Sequence, residues 1–115
     1  MRSAAMGRIE DDFEGPLMSA SQVAKHLLET CASLRKFESF MFGSSLHGIG
    51  YDYDILIVGP VGEPLSILKK ELRMAGAELP LDILYMLPTE AEETGFVSLE
   101  RCIPLSKLAA SAESD

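Results

Sequence analysis

Apolar residues along this chain recur at two spacings, and each spacing predicts its own kind of element. Val23, Leu27, Cys31 and Leu34 follow one another at four, four and three, which is one face of a helix from Ser19 or Ser21 to about Lys36. A serine opens it, and Arg35-Lys36 close it where the negative end of the peptide dipoles favours cations. Phe37-Glu38-Ser39-Phe40-Met41-Phe42 is short and aromatic and predicts a strand that runs into Gly43-Ser44-Ser45. Ser45 to Tyr51 reads as a glycine-containing turn, and Tyr53 to Val58 as an apolar, β-branched strand ended by Gly59-Pro60-Val61-Gly62. Pro64 suits the first turn of a second helix, with Leu65, Leu68, Leu72 and Ala75 as its buried face and Gly76 as its C-cap. Leu81 to Leu87 predicts a third strand, stopped by Pro88. After that the pattern weakens to a short helix at Glu90 to Glu93, an extended stretch at Gly95 to Leu99 and fraying over residues 108–115. Residues 1–18, with their acidic run Glu10, Asp11, Asp12 and Glu14, read as a frayed or extended lead-in.

The order helix, strand, strand, helix, strand predicts an α/β (α+β) fold, a small mixed β-sheet with helices on one face. If the helix between the second and third strands is a right-handed crossover, those two strands lie parallel. A chain of 115 residues, 47% apolar and 24% charged, fits a single globular domain spanning residues 1–115. Its longest apolar run falls far short of the roughly 18 residues of a membrane span. No apolar central segment marks the first residues as a signal peptide. Cys31 and Cys102 lack metal-like spacing, and two free thiols fit a reduced, cytoplasmic protein. The net charge of −8 argues against long nucleic acid, which is held by many basic contacts to phosphate. A small ligand, a nucleotide carried by metal or a basic protein partner suits the chain better.

Candidate chemistry concentrates between Phe40 and Val58. Asp52 and Asp54 are two apart where a strand begins, so their side chains leave one face with Cα atoms roughly 7 Å apart. Like charges this close repel, and bound divalent cations would remove the conflict. Mg²⁺ prefers carboxylate oxygens and completes its shell with waters and substrate phosphates. The Gly43-Ser44-Ser45 turn supplies the complementary half: glycine admits close backbone approach, and turn N–H groups with a serine hydroxyl can cradle phosphate. Asp82 is an acid within an apolar strand, costly to bury unless paired or metal-bound. Should its strand lie beside that of Asp54, three carboxylates converge, enough to align an attacking hydroxyl with a nucleotide α-phosphate.

Gly-Ser at a strand end, Asp-x-Asp opening the next strand and a lone Asp in a later strand resemble the nucleotidyltransferase superfamily of DNA polymerase beta. The small size resembles its minimal nucleotidyltransferase branch, whose members are often encoded with helical HEPN-type proteins. The resemblance covers roughly residues 22–87. It implies that Gly43 and Ser44, with Ser45 beside them, bind the phosphates of a nucleoside triphosphate such as ATP. It implies further that Asp52, Asp54 and Asp82 hold Mg²⁺ and that Asp82 helps activate the acceptor hydroxyl. The implied reaction moves a nucleoside monophosphate to a hydroxyl and releases pyrophosphate. In the minimal branch that hydroxyl can belong to a tyrosine of the partner, and the module then acts as an antitoxin. Ser45 stands where the family often carries an arginine, and no Lys or Arg occurs between Lys36 and Lys69. A second expectation follows from that gap: a nucleotidyltransferase-fold binding module that masks a partner with little chemistry of its own. A homo-oligomer that associates through exposed sheet is the third.

Overall fold

The computed structural model describes residues 18–47 and 52–114. The acidic lead-in over residues 1–17 and the turn over residues 48–51, Tyr51 included, lie outside the described residues.

Helix α1 spans Ala20–Thr30. Ser19 caps it through a reciprocal pair: the Gln22 N–H donates to Ser19 Oγ at 3.2 Å, and the Ser19 N–H donates to Gln22 Oε1 at 2.9 Å. The predicted helix runs on to Lys36, but the α-helix ends at Thr30 and a 3-10 turn takes over at Ala32–Lys36. A distant acceptor explains the change, because the Ser33 N–H donates to Glu71 Oε1 at 3.0 Å instead of to a carbonyl one turn back. Ser33 Oγ meets the second Glu71 oxygen at 3.3 Å. The apolar face is as expected: Val23, Leu27, Cys31 and Leu34 are all buried.

Strand β1 is Glu38–Phe42, β2 is Tyr53–Val58 and β3 is Leu81–Met86. Helix α2, Glu63–Ala75, joins β2 to β3 and buries Leu68 and Leu72. β1 and β2 run antiparallel, and β2 and β3 run parallel, as a helical crossover between them requires. A two-residue strand β4, Ile103–Pro104, pairs antiparallel with β1 and completes the sheet order β3-β2-β1-β4.

After β3 the expected short helix at Glu90 to Glu93 is present, longer at both ends, and the rest differs from the sequence pattern. Pro88 stops the strand and also opens helix α3, Pro88–Thr94, with Glu90 Oε1 accepting from the Leu87 N–H at 2.8 Å. Gly95 adopts a left-handed conformation that ends α3, and Phe96–Leu99 forms one turn of helix, α4, where an extended stretch was expected. Residues 108–114, expected to fray, belong instead to helix α5, Leu105–Ser114, which packs on α1.

Met41, Tyr53, Ile55 and Ile57 turn one face of the sheet toward α1, α2 and α5 and build the core there with Leu27, Leu34, Leu68 and Leu105. The opposite face carries Phe40, Phe42, Asp54, Leu56, Asp82 and Leu84, as strand alternation demands. On that face the Phe96 ring meets Phe42 edge-on, with centroids 5.1 Å apart. The result is an α+β fold on a mixed sheet, with its long helices on one side. No helix among the described residues is long and apolar enough to cross a membrane.

Candidate functional site

The parallel ladder between β2 and β3 sets Asp54 directly opposite Asp82. Register partners in a ladder share a face, with strands about 4.8 Å apart. Both carboxylates therefore project from the side of the sheet away from the core helices. The local sequence makes this register the favourable one. Tyr53, Ile55 and Ile57 bury with Leu81, Ile83 and Tyr85, and a slip by one residue would send Asp54 into the core. Asp54 is half-buried, whereas Asp82 is exposed.

Asp52 sits in the bend before β2 and is exposed. It is near enough to act on Asp54 electrostatically. The Asp54 carboxyl is pushed above the ordinary carboxylate range, first by burial, then by the charge of Asp82, then by that of Asp52. Two of the three expected carboxylates thus stand in register, and the third adds its field from the strand entrance. Among the described residues, no three His, Cys, Asp or Glu side chains are gathered tightly enough to hold an ion by themselves. Two carboxylates completed by substrate phosphates and water are, however, the way Mg²⁺ is commonly bound, and the Asp54–Asp82 pair fits that donor set.

Gly43 closes the site from the β1 side. Its φ is +79°, and a Cβ placed there would lie 2.4 Å from Asp54 Oδ2. Glycine is needed on both counts, for the left-handed backbone and for the approach to the carboxylate. A 3-10 turn, Ser44–His47, follows, closed by the Leu46 N–H donating to the Gly43 carbonyl at 3.2 Å. Leu46 anchors that turn by packing on the core. Ser44 and His47 are exposed beside it, and the side chain of Ser45 lies outside what the structure describes. The Gly-Ser turn and the carboxylate pair therefore adjoin one another.

Three residues of the surroundings are not legible as site neighbours from the sequence. Phe42 is the register partner of Asp54 on β1, so Phe42, Asp54 and Asp82 form one row across three strands. Phe96 covers the end of that row by its contact with Phe42. Leu84, 38% exposed, stands on the same face as Asp82 and leaves an apolar margin beside it. Lys69 and Lys70 lie on α2, and Lys69 is engaged with the Tyr85 ring on the core side of β3, away from the carboxylates.

Comparison of the chain with protein-family models, with curated proteins and with solved structures returns no match.

Proposed function

We propose that the chain is a Mg²⁺-dependent nucleotidyltransferase of the DNA polymerase beta-like kind. It would move a nucleoside monophosphate from a triphosphate such as ATP to a hydroxyl acceptor, with a tyrosine of a HEPN-type helical partner as the candidate acceptor. The observation that carries the reading is the Asp54–Asp82 register pair lying against Gly43 at the Gly-Ser turn. Acid pairs on an otherwise apolar sheet are costly, and Asp54 bears that cost in its raised pKa.

In this reading Asp54 and Asp82, aided by Asp52, would hold Mg²⁺, which supplies neutralisation of phosphate charge. The Gly43–Ser44 backbone approaches the β- and γ-phosphates without side-chain obstruction. The acceptor oxygen forms a bond to the α-phosphorus while the bond from that phosphorus to pyrophosphate breaks. The hydroxyl proton passes to the Asp82 carboxylate, the more exposed of the pair and the one an incoming acceptor can reach. Pyrophosphate carries away the charge that the departing bond releases.

The test is transfer of label from α-labelled ATP to a protein or small hydroxyl acceptor in the presence of Mg²⁺. Asp54→Asn and Asp82→Asn should each lower it roughly 100-fold or more, the scale of losing one group that stabilises developing charge. Thermal melts should stay cooperative. Undiminished transfer in both variants would sink the proposal. Two observations favour a second reading, a binding module that masks a partner: exposed Leu84 next to Asp82 gives this face an apolar margin, and the chain offers no Lys or Arg between positions 36 and 69. Partner neutralisation that survives Asp54→Asn and Asp82→Asn but fails with Leu84→Lys would establish it.

A further inference from the structure

A groove of about 440 Å³ runs between α2 and β3 on the core side of the sheet, lined among others by Lys69, Arg73, Leu79, Leu81, Ile83 and Tyr85. Its floor is apolar and its rim cationic, and none of its lining residues is acidic. Lys69 Nζ stands 4.8 Å from the centre of the Tyr85 ring. Burial pushes the Tyr85 hydroxyl up in pKa and the nearby Arg73 charge draws it partly back, which places both cations at this aromatic. In a chain of net charge −8 with 10 Lys and Arg, this is an unusual concentration: Lys69, Lys70 and Arg73 fall within one helical turn and a half. β3 also forms one end of the sheet order, and open strand edges are ordinarily shielded by a charge, a bulge or a covering segment.

The start of the described chain comes close to this groove. The Tyr53 hydroxyl donates to the Met18 carbonyl, and Tyr53 is the register partner of Leu81, at the groove's end. Met18, Leu79 and Leu81 pack against the same core. Residues 9–14 precede Met18 and read Ile-Glu-Asp-Asp-Phe-Glu, four acids interleaved with two apolar side chains. Met18 lies five positions after Phe13, an extended reach of roughly 16–18 Å. The groove wall from Leu81 to Tyr85 is about 13 Å long. Tether length, sign of charge and apolar content therefore all match.

We propose that this groove is the docking site of the chain's own acidic segment, residues 9–14, with Ile9 and Phe13 over its leucines and the four acids against Lys69 and Arg73. Docking in cis keeps the local concentration of the segment high, so that modest contacts suffice. The segment shields the outer edge of β3 and leaves the Asp54–Asp82 face untouched, so the proposal stands independently of the catalytic reading.

Hydrogen exchange of the full chain at low salt, resolved by peptide, tests this. Amides of residues 9–14 should exchange at least tenfold more slowly than their intrinsic rates. That protection should be lost in Lys69→Glu/Arg73→Glu and regained when Asp11→Lys/Asp12→Lys is added to it. Asp11→Asn/Asp12→Asn, which alters only the acidic segment, should give the same loss without any change to the groove. Intrinsic exchange rates in the unaltered chain overturn the proposal, and so does protection indifferent to all of these substitutions. Protection that grows with protein concentration assigns the groove to a second copy and equally overturns docking in cis.

Discussion

Burial and the adjoining carboxylates of Asp82 and Asp52 push the Asp54 carboxyl upward. The direction fixes how stability must depend on pH. A carboxyl raised in the folded state binds its proton more tightly there than in the unfolded chain. Between the ordinary carboxylate value and the raised one, the folded state holds more protons, so stability falls as pH rises through that window. Above the window the charged group costs stability, and below the ordinary value the cost disappears. Asp54→Asn should therefore raise Tm by a few degrees at pH 7 and by nothing near pH 3, while transfer activity is lost. Parallel melts at the two pH values check it; a variant less stable than the parent at pH 7 would show that Asp54 contributes more by its contacts than it costs by its charge. Gly43 belongs to the same local balance. Its backbone sign and the 2.4 Å approach of an added Cβ to Asp54 leave no room for a side chain unless the carboxylate moves. In the sequence, Gly43, Asp52, Asp54 and Asp82 were all visible as candidates, because an acid in an apolar strand conflicts with its surroundings. Their pairing was legible only on the condition that the two strands are neighbours, because register is a property of two strands and a crossover.

Among elements, those whose signals are local were legible. β2 matches Tyr53 to Val58 at both ends, since glycine and proline follow it directly and its alternating residues have two buried destinations. The α2 face matches through Leu68 and Leu72, and Ser19 caps α1 as a serine there should. What escaped the sequence depends on distant partners. Nothing near Cys31 announces a helix end; Glu71, 38 positions beyond Ser33, takes the Ser33 N–H and makes one. Gly95 to Leu99 reads as extended in the sequence, whereas Gly95 is a left-handed cap and the turn of helix after it is not encoded by apolar spacing. α5 is rich in alanine and serine, and Pro104 just ahead of it masks its start. Its stability comes from Leu105 and Ala109, buried against α1, rather than from a strong periodic pattern. Leu105→Ala should therefore cost about 2–5 kcal/mol, the range for truncating a fully buried leucine. Urea denaturation measures it as a lower midpoint at an unchanged slope. A cost below roughly 1 kcal/mol would mean that α5 is only loosely attached, closer to the fraying its sequence suggests.

At the scale of the molecule, the sheet divides two kinds of work. One face holds the core with α1, α2 and α5, and the other carries the row Phe42, Asp54 and Asp82. Residues on opposite faces of a sheet share few partners, so their energetic effects should add, whereas neighbours on one face should couple. A ligand that binds only the folded state raises Tm by mass action, and Mg²⁺ drawn to a carboxylate pair should do so here. Millimolar Mg²⁺ is expected to raise the Tm of the unaltered chain at pH 7. Asp54→Asn and Asp82→Asn should each remove most of that rise, and the double variant should remove little more, because the second loss finds the ion already gone. Leu105→Ala should lower the baseline Tm and leave the Mg²⁺ increment intact. Scanning calorimetry of the five proteins, with and without Mg²⁺, gives all the terms of this cycle. Additive losses at positions 54 and 82 would mean that the two carboxylates do not share an ion. An increment that vanished with Leu105→Ala would place the response to Mg²⁺ in global folding rather than on the exposed face.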